Sequence, residues 1–515
     1  MVQISNRVMA ACLSAPSATR PRGATVNAFT FASARVPVRA APPRVLSGGR
    51  ARSLAGAMSA QRAGDAPIAS APGPRSGVYV TPSGEVSVDG TSLRSIADQV
   101  QETPFYVYSQ RAIADAYDAY ERALEGVPSF VGYAVKANNN LHILRYLASR
   151  GCGAVLVSGN ELRLAMEAGF EMRRTVFNGN GKQPGDLELA ARQGCLINVD
   201  SEFDLANIRE AARRSGCRAR VLIRINPDID PEVHPYVSTG LAASKFGIRN
   251  SHLDWFLHEI SAAPDALELV GVHCHLGSTI TKARIFADAA GVMAGFVRRI
   301  REAGHAGLSF LNIGGGLGID YARGSADAPE GLAGTQKLPS PRELVDTVRR
   351  TVAELGLTLV MEPGRSLVGA SGALVCRVLG TKQNGEKRFV VVDGSMAELI
   401  RPALYDAHQH IALADAGKRG EGEAGGEDKE AKGAAYDVVG PICESADFLG
   451  KNRHFPRQPQ PGDVLAVLDA GAYCMAMAST YNMKLRPAEY WVTLRGTLER
   501  IRRAETMQDV LRMYD

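Results

Sequence analysis

No run of 18 residues in this 515-residue chain is free of charged side chains. The longest uncharged stretch lies between Glu302 and Asp320 and carries His305 and a glycine run, which excludes a transmembrane helix and any membrane partner of that kind. The first 64 residues have no Lys, Asp or Glu but nine Arg. The remaining 451 residues hold 50 basic and 54 acidic side chains, so the formal +5 belongs to the N-terminal segment and the rest has no electrostatic reason to hold nucleic acid. Eight cysteines, at 12, 152, 195, 217, 274, 376, 443 and 474, form no CxxC pair. That spacing argues for free thiols in a reducing compartment, and against both a disulfide framework and a zinc site.

What is present is a globular composition, 45% hydrophobic and 22% charged, in a chain long enough for two units. Residues 1–70, rich in Ala, Ser, Arg and Pro with a short apolar stretch at Val8 to Leu13, read as a disordered, cleaved transit peptide. A disordered nucleic-acid-binding arm is the alternative. Eight apolar segments follow: Ser129 to Val135, Ala154 to Ser158, Thr175 to Asn178, Leu196 to Asp200, Val221 to Asn226, Leu269 to His275, Phe310 to Ile313 and Thr358 to Met361. They alternate with helical patterns such as Asn160 to Ala168, Ser201 to Arg214 and Arg284 to Ala303. The last of these sets Ile285, Phe286, Ala289, Val292, Met293, Phe296, Val297 and Ile300 on one face.

Eight strand-helix units across residues 109–368 predict an α/β fold, a (β/α)8 barrel, with a doubly wound open sheet as the competing architecture. Residues 369–515 turn to strands without long helices, at Leu374 to Leu379, Arg388 to Val392, Tyr436 to Val439, Val464 to Leu468 and Tyr490 to Leu494, which predicts a C-terminal β-domain, a sandwich or barrel. Residues 78–108 hold two extended runs, Val78 to Val80 and Phe105 to Tyr108, expected to join that domain. Residues 415–435, with no large apolar side chain, read as a flexible insertion, and 322–338 as a second mobile loop.

In such a barrel the reactive groups collect where strands end. The first strand runs into Lys136 in YAVKAN, where burial favours a neutral amine able to attack an aldehyde. The sixth ends in His273, Cys274, His275, Leu276, Gly277 and Ser278. Two His one residue apart could bind metal, but no third ligand accompanies them, so no metal is expected, and a flat imidazole suits stacking on an aromatic cofactor. The seventh ends in Gly314, Gly315, Gly316, Leu317 and Gly318, whose bare backbone can approach a phosphate. The eighth ends in Glu362, Pro363, Gly364 and Arg365, and a carboxylate there can keep a pyridine nitrogen protonated. Singly these are also a solvated Lys, a turn and a salt bridge. Together they describe a pyridoxal 5'-phosphate site.

The ordered segments YAVKAN, HCHLGS, GGGLG, EPGR, RPALY, CESADF and DAGAY are similar to the diaminopimelate decarboxylase family. That family lies within the alanine-racemase-like, ornithine/arginine decarboxylase group of pyridoxal phosphate enzymes, and the resemblance spans roughly residues 75 to 510. It implies that Lys136 holds the cofactor covalently and His275 stacks on its ring. It further implies that Ser278, Gly314, Gly315, Gly316, Gly318, Gly364, Arg365 and Tyr473 hold the cofactor with Glu362 on the pyridine nitrogen. Arg365, Arg401, Tyr405, Glu444 and Tyr473 would bind substrate, and Cys443 would protonate the α-carbon from the second subunit of a homodimer.

The implied reaction is decarboxylation of meso-2,6-diaminopimelate at its D-centre to L-lysine and carbon dioxide, the last step of lysine biosynthesis, in the plastid stroma rather than the mitochondrion. Arg365 and Arg401 suit a remote carboxylate, whereas ornithine or arginine, the alternative substrates of the same fold, would call for an acidic group at Arg401. Departures from the family pattern are Asn160 in VSGNEL, Thr279 in HLGST and VVDGSM in place of DAGM. A catalytically dead relative would need loss of Lys136 or Cys443, and a metal-dependent barrel hydrolase would need a further ligand beside His273 and His275.

Overall fold

Alternation of short apolar runs with capped helices sets the architecture in a computed structural model of the chain, which describes residues 76–233, 245–323, 327–328, 338–415 and 434–514. The 1–70 segment, most of the 322–338 loop and all but the ends of the 415–435 insertion lie outside the described residues. In chain order the first strands are β1 (Val78–Val80), β2 (Val86–Val88), β3 (Thr91–Ser92) and β4 (Phe105–Ser109). Next come β5 (Ser129–Ala134), β6 (Gly153–Leu156), β7 (Thr175–Phe177), β8 (Leu196–Val199), β9 (Ala219–Arg224), β10 (Leu267–His273), β11 (Phe310–Asn312) and β12 (Thr358–Met361). The last are β13 (Gly372–Asn384), β14 (Lys387–Val392), β15 (Ile411–Leu413), β16 (Ala435–Val439), β17 (Phe448–His454), β18 (Val464–Val467), β19 (Ala488–Val492) and β20 (Leu498–Arg502).

Strands β5 to β12 pair in parallel and close on themselves through β12 and β5, so the expected (β/α)8 barrel is what forms, and the open doubly wound sheet is not. The connecting helices start and stop where their end residues dictate. Ser158 and Ser201 cap Gly159–Ala168 and Glu202–Ser215 by accepting from the backbone N–H three residues on, and Ser340 with Glu343 makes a reciprocal capping box for Pro341–Leu355. Gly169, Gly216 and Gly356 end these three helices in the left-handed conformation. Helix Ala283–Glu302 buries Ile285, Phe286, Ala289, Met293, Val297 and Ile300 as expected of its face. Val292 falls off that stripe and is exposed, with Ala290 and Ala294 inside instead.

One residue from every barrel strand meets in an apolar cluster: Phe130, Val155, Val176, Leu196, Leu222, Val270, Phe310 and Val360. Their neighbours Val131, Ile197, Ile223 and Leu311 belong to the separate, larger core packed under the helices. Since side chains alternate across a strand, the residue two positions beyond most of these plug residues returns to the interior, while on β10, where the pairing shifts register, Val272 joins the larger core and His273 turns inward. Those positions include Gly132, Asn178, Asn198, Arg224, Asn312 and Glu362. A sealed apolar floor is thereby followed by a polar layer.

The second layer of structure is a nine-stranded sheet in which the 13-residue β13 pairs with β4, β18 and, at its far end, β14. Strand β4 lies between β13 and β19, so a segment from before the barrel enters the sheet that follows it. Val78–Val80 does not enter that sheet. It pairs with β2 in a separate three-stranded sheet with β3, whose Val78, Val86 and Val88 pack on the same apolar cluster as Phe105 and Val464. Strands β15, β17 and β20 have no counterpart in the sequence reading: β15 has three residues, and FLGKNRH and LERIR dilute their apolar alternation with charge.

Candidate active site

Strand β5 passes into a single 3-10 turn, Val135–Ala137, and Lys136 is the side chain this turn presents. Lys136 is exposed, which corrects the expectation that burial would make it reactive. Both flanks are fixed: the Ala134 N–H donates to Pro363 O at 3.0 Å and the Tyr473 N–H donates to Ala137 O at 2.7 Å. Asn138 Nδ2 adds a bond to Gly471 O at 3.1 Å. The EPGR and DAGAY segments, from different parts of the chain, are thereby stitched to the turn that carries the amine.

Glu362 is buried at the end of β12. Asn178 Nδ2 donates to its two oxygens at 3.0 and 3.2 Å, Asn312 Nδ2 donates to Oε1 at 2.8 Å, and His273 Nε2 lies 3.5 Å from Oε1. Burial pulls the carboxyl toward its neutral form, but His273 and the Asn178 amide outweigh it and hold Glu362 well below the usual carboxylate range. His273 shares its other nitrogen with Asn198 at 2.8 Å, and Asn198 in turn donates to Asn178. His273 therefore sits inside this network, bonded through Nδ1 and with Nε2 facing Glu362 without a hydrogen bond.

His275 is half-buried, and desolvation, with the Lys136 charge second, lowers its pKa well below that of a free imidazole. The ring is neutral. Gly315 N–H donates to Nδ1 at 3.1 Å, so the ring proton sits on Nε2. The glycine run beside it leaves no room for side chains: a Cβ on Gly314 would lie 2.6 Å from His275 Nδ1, on Gly315 2.0 Å from Glu362 O, and on Gly316 2.4 Å from Gly277 O. Gly364 is equally enclosed, with Ala137 Cβ at 3.0 Å and the Tyr473 hydroxyl at 3.3 Å from a Cβ placed there. Tyr473 itself adopts a left-handed backbone, φ 57°, as does Thr279, φ 64°, beside Ser278.

Arg365 donates from Nε and Nη2 to Ser278 Oγ at 3.3 and 3.1 Å and from Nη1 to the Tyr321 hydroxyl, with its guanidinium 4.7 Å from the Tyr473 ring centroid. Arg401, at the start of the one-turn helix Arg401–Tyr405, is only 5% exposed, yet its Nε and Nη1 meet no acceptor among the described residues. Tyr405 closes the same helix and is half-buried.

Cys443 and Glu444 are both exposed, the Cys443 N–H donating to Asn482 Oδ1 at 2.8 Å and the Tyr481 hydroxyl standing 3.5 Å from Glu444 Oε2. No hydrogen bond among the described residues joins them to the group around Lys136, His275 and Glu362.

The residues brought together fit pyridoxal phosphate: an amine at the mouth, a neutral imidazole, an ionised carboxylate held for a ring nitrogen, and a backbone cradle that a single Cβ would fill. Asn178, Asn198, Arg224 and Asn312 complete the polar layer and were not singled out from the sequence. Their signal was there, since each is a polar residue two positions beyond an apolar inward one on a strand.

The chain matches the family described as "Pyridoxal-dependent decarboxylase, pyridoxal binding domain" over residues 110–369. It is 54% identical to the Oryza sativa protein named "Probable diaminopimelate decarboxylase, chloroplastic" over 84% of either chain. It is 39% identical to the diaminopimelate decarboxylase of Aquifex aeolicus, over 82% of this chain and 94% of that one. The crystal structure of the Helicobacter pylori diaminopimelate decarboxylase complexed with L-lysine is 34% identical, covers 82% of this chain and 99% of its own, and superposes with a TM-score of 0.73. With the buried Glu362, the neutral His275 and the glycine cradle in place, the chain belongs to the pyridoxal-dependent decarboxylases and, among them, to the diaminopimelate decarboxylase family.

Proposed function

We propose that the protein removes the D-centre carboxylate of meso-2,6-diaminopimelate, giving L-lysine and carbon dioxide. The observation that carries this reading is Arg401, a buried guanidinium whose Nε and Nη1 have no acceptor among the described residues, close to a second buried guanidinium at Arg365. A cationic pocket suits a substrate with a carboxylate remote from the reacting carbon and opposes the cationic tails of ornithine and arginine. The relatives' printed names, and the L-lysine in the Helicobacter structure, support the same substrate and product.

Bound pyridoxal phosphate would supply an aldehyde for an amine and a ring that accepts the electron pair a departing carboxylate leaves behind. Lys136 would hold that aldehyde, Glu362 would keep a proton on the ring nitrogen, and His275 would lie against the ring. Ser278, Gly314, Gly315, Gly316, Gly318, Gly364, Arg365 and Tyr473 would seat the phosphate end. Arg365, Arg401, Tyr405 and Tyr473 would orient the substrate, with Glu444 on its remote ammonium. Cys443 would give its thiol proton to the α-carbon once carbon dioxide has left, and would regain one from solvent.

The exposed positions of Cys443, Glu444 and Lys136 support a homodimer in which the first two serve the neighbouring subunit's site. The same reading assigns residues 109–368 to the cofactor-binding barrel, 78–108 and 369–515 to the β-domain, and 1–70 to a leader directing the protein to the plastid stroma. Imaging a fusion of residues 1–70 to a fluorescent protein tests that destination.

Assays of the purified protein with meso-diaminopimelate, ornithine and arginine test the substrate, and release of lysine from the first alone is expected. Decarboxylation of ornithine or arginine in preference would overturn it. Mixing Lys136→Ala and Cys443→Ala proteins should restore roughly a quarter of wild-type activity if each site draws on two chains. No recovery on mixing would reject the shared site.

A further inference from the structure

Tyr321 has no role in the assignments above, although it touches both cations of the substrate pocket. It follows the glycine run, and Asp320 Oδ1 accepts from the Ala322 and Arg323 N–H groups at 2.9 and 3.0 Å, which fixes the turn that carries it. Its side chain is buried, 7% exposed. The hydroxyl accepts from Arg365 Nη1, and the ring centroid lies 5.7 Å from the Arg365 guanidinium carbon and 4.7 Å from that of Arg401.

Two guanidinium groups on one aromatic ring repel each other, and no salt bridge among the described residues neutralises either one. Asp469, the buried acid of this neighbourhood, gives both its oxygens to Arg323. The π face attracts each cation and the hydroxyl takes one N–H, so the ring offsets the repulsion without occupying the remaining Arg401 donors.

We propose that Tyr321 is a positioning residue that sets the separation of Arg365 and Arg401, and so selects substrates with a second carboxylate. This rests on the substrate reading above, and it adds the element that makes two cations act as one clamp. An anion between them relieves the repulsion the ring only offsets. A diamine with one carboxylate brings a further positive charge and gains nothing there.

The test compares wild type with Tyr321→Phe, which keeps the ring, and Tyr321→Leu, which removes it. Steady-state kinetics with meso-diaminopimelate and inhibition by pimelate, a seven-carbon dicarboxylate without amines, are read beside cofactor absorbance and melting temperature. Tyr321→Leu is expected to raise KM and the pimelate Ki at least about tenfold with kcat within about threefold, and Tyr321→Phe to raise both about two- to fivefold. A general structural defect would instead lower kcat and melting temperature with KM and Ki unmoved, and that outcome overturns the proposal. So does a Leu variant whose KM and Ki stay at wild-type values. If Tyr321→Leu does not fold, the Phe variant decides, since an unchanged KM and Ki there also reject the clamp. Wild-type protein that fails to turn over diaminopimelate would count against the substrate reading, while the pimelate series would still score Tyr321.

Discussion

Asn312 donates to Glu362 Oε1 at 2.8 Å and with its own carbonyl oxygen accepts the Gly314 N–H, also at 2.8 Å. One amide thus ties the carboxylate assigned to the ring nitrogen to the first glycine of the phosphate cradle. Asn312→Leu keeps the volume but leaves the Gly314 N–H without its acceptor and Glu362 with the Asn178 amide alone of its two amide donors. Cofactor affinity should fall about tenfold or more, from the usual cost of a buried unsatisfied polar group. Titration of the apoprotein with pyridoxal phosphate checks this, and an unchanged affinity would separate the two halves of the site.

Lys136→Ala should abolish both turnover and covalent cofactor attachment, read as loss of the imine absorbance and of borohydride-trapped adduct. Retention of either would move the anchoring amine to another lysine.

Arg401→Ala removes a buried cation with two donors that have no acceptor among the described residues. KM for diaminopimelate should rise about tenfold to a hundredfold with a smaller change in kcat, since the lost contact lies at the remote carboxylate. Because no salt bridge among the described residues holds the guanidinium, melting temperature should change little.

Gly315→Ala places a methyl 2.0 Å from Glu362 O, a backbone atom that cannot swing aside. A loss of about 1–3 kcal/mol in stability is expected from this overpacking, measured by urea unfolding, together with weaker cofactor binding. Gly307→Ala is the control: like Gly315 that glycine lies outside the left-handed region, and it has nothing within 4 Å, so neither strain nor clash acts there.

Burial first, then the Arg453 charge, lowers His408 to about 4, and Arg453 Nη1 contacts its Nδ1 at 2.7 Å. The unfolded chain takes up a proton on this ring near pH 6.5 and the folded one does not until about pH 4. The unfolded state therefore binds more protons in that window, so the stability this group contributes is complete above about pH 6.5 and is lost as pH falls toward 4. Buried His273 and half-buried His275 shift in the same direction. Urea midpoints should be lower at pH 5 than at pH 7.5, and His408→Asn should narrow the gap. A gap of the same width in the variant would show that His408 does not contribute.

The barrel was legible because each of its strands is a short apolar run and several of its helices carry their own start and stop residues, as with Ser201 and Gly216. Lys136, His275, Gly315 and Glu362 could be found since strand ends share one face of a barrel. Asn178, Asn198, Arg224 and Asn312 escaped notice because a polar residue closing an apolar run reads as the edge of a loop. Only the closed barrel shows that the same period that buries Leu196 and Leu222 turns Asn198 and Arg224 inward. Lys136 departs in the other direction: the apolar strand before it implies burial, and a 3-10 turn lifts it to the surface. Val78–Val80 is legible as an extended run, but its pairing with Val86–Val88 in a small sheet of its own depends on a short partner strand with no strong apolar signal.

The ring of Phe130, Val155, Val176, Leu196, Leu222, Val270, Phe310 and Val360 turns the barrel into a blind vessel rather than a passage. Amino acid and carbon dioxide must then share one doorway, in opposite directions, under whatever rests on the rim. A lid or neighbouring subunit seated there would govern arrival, departure and the admission of water together.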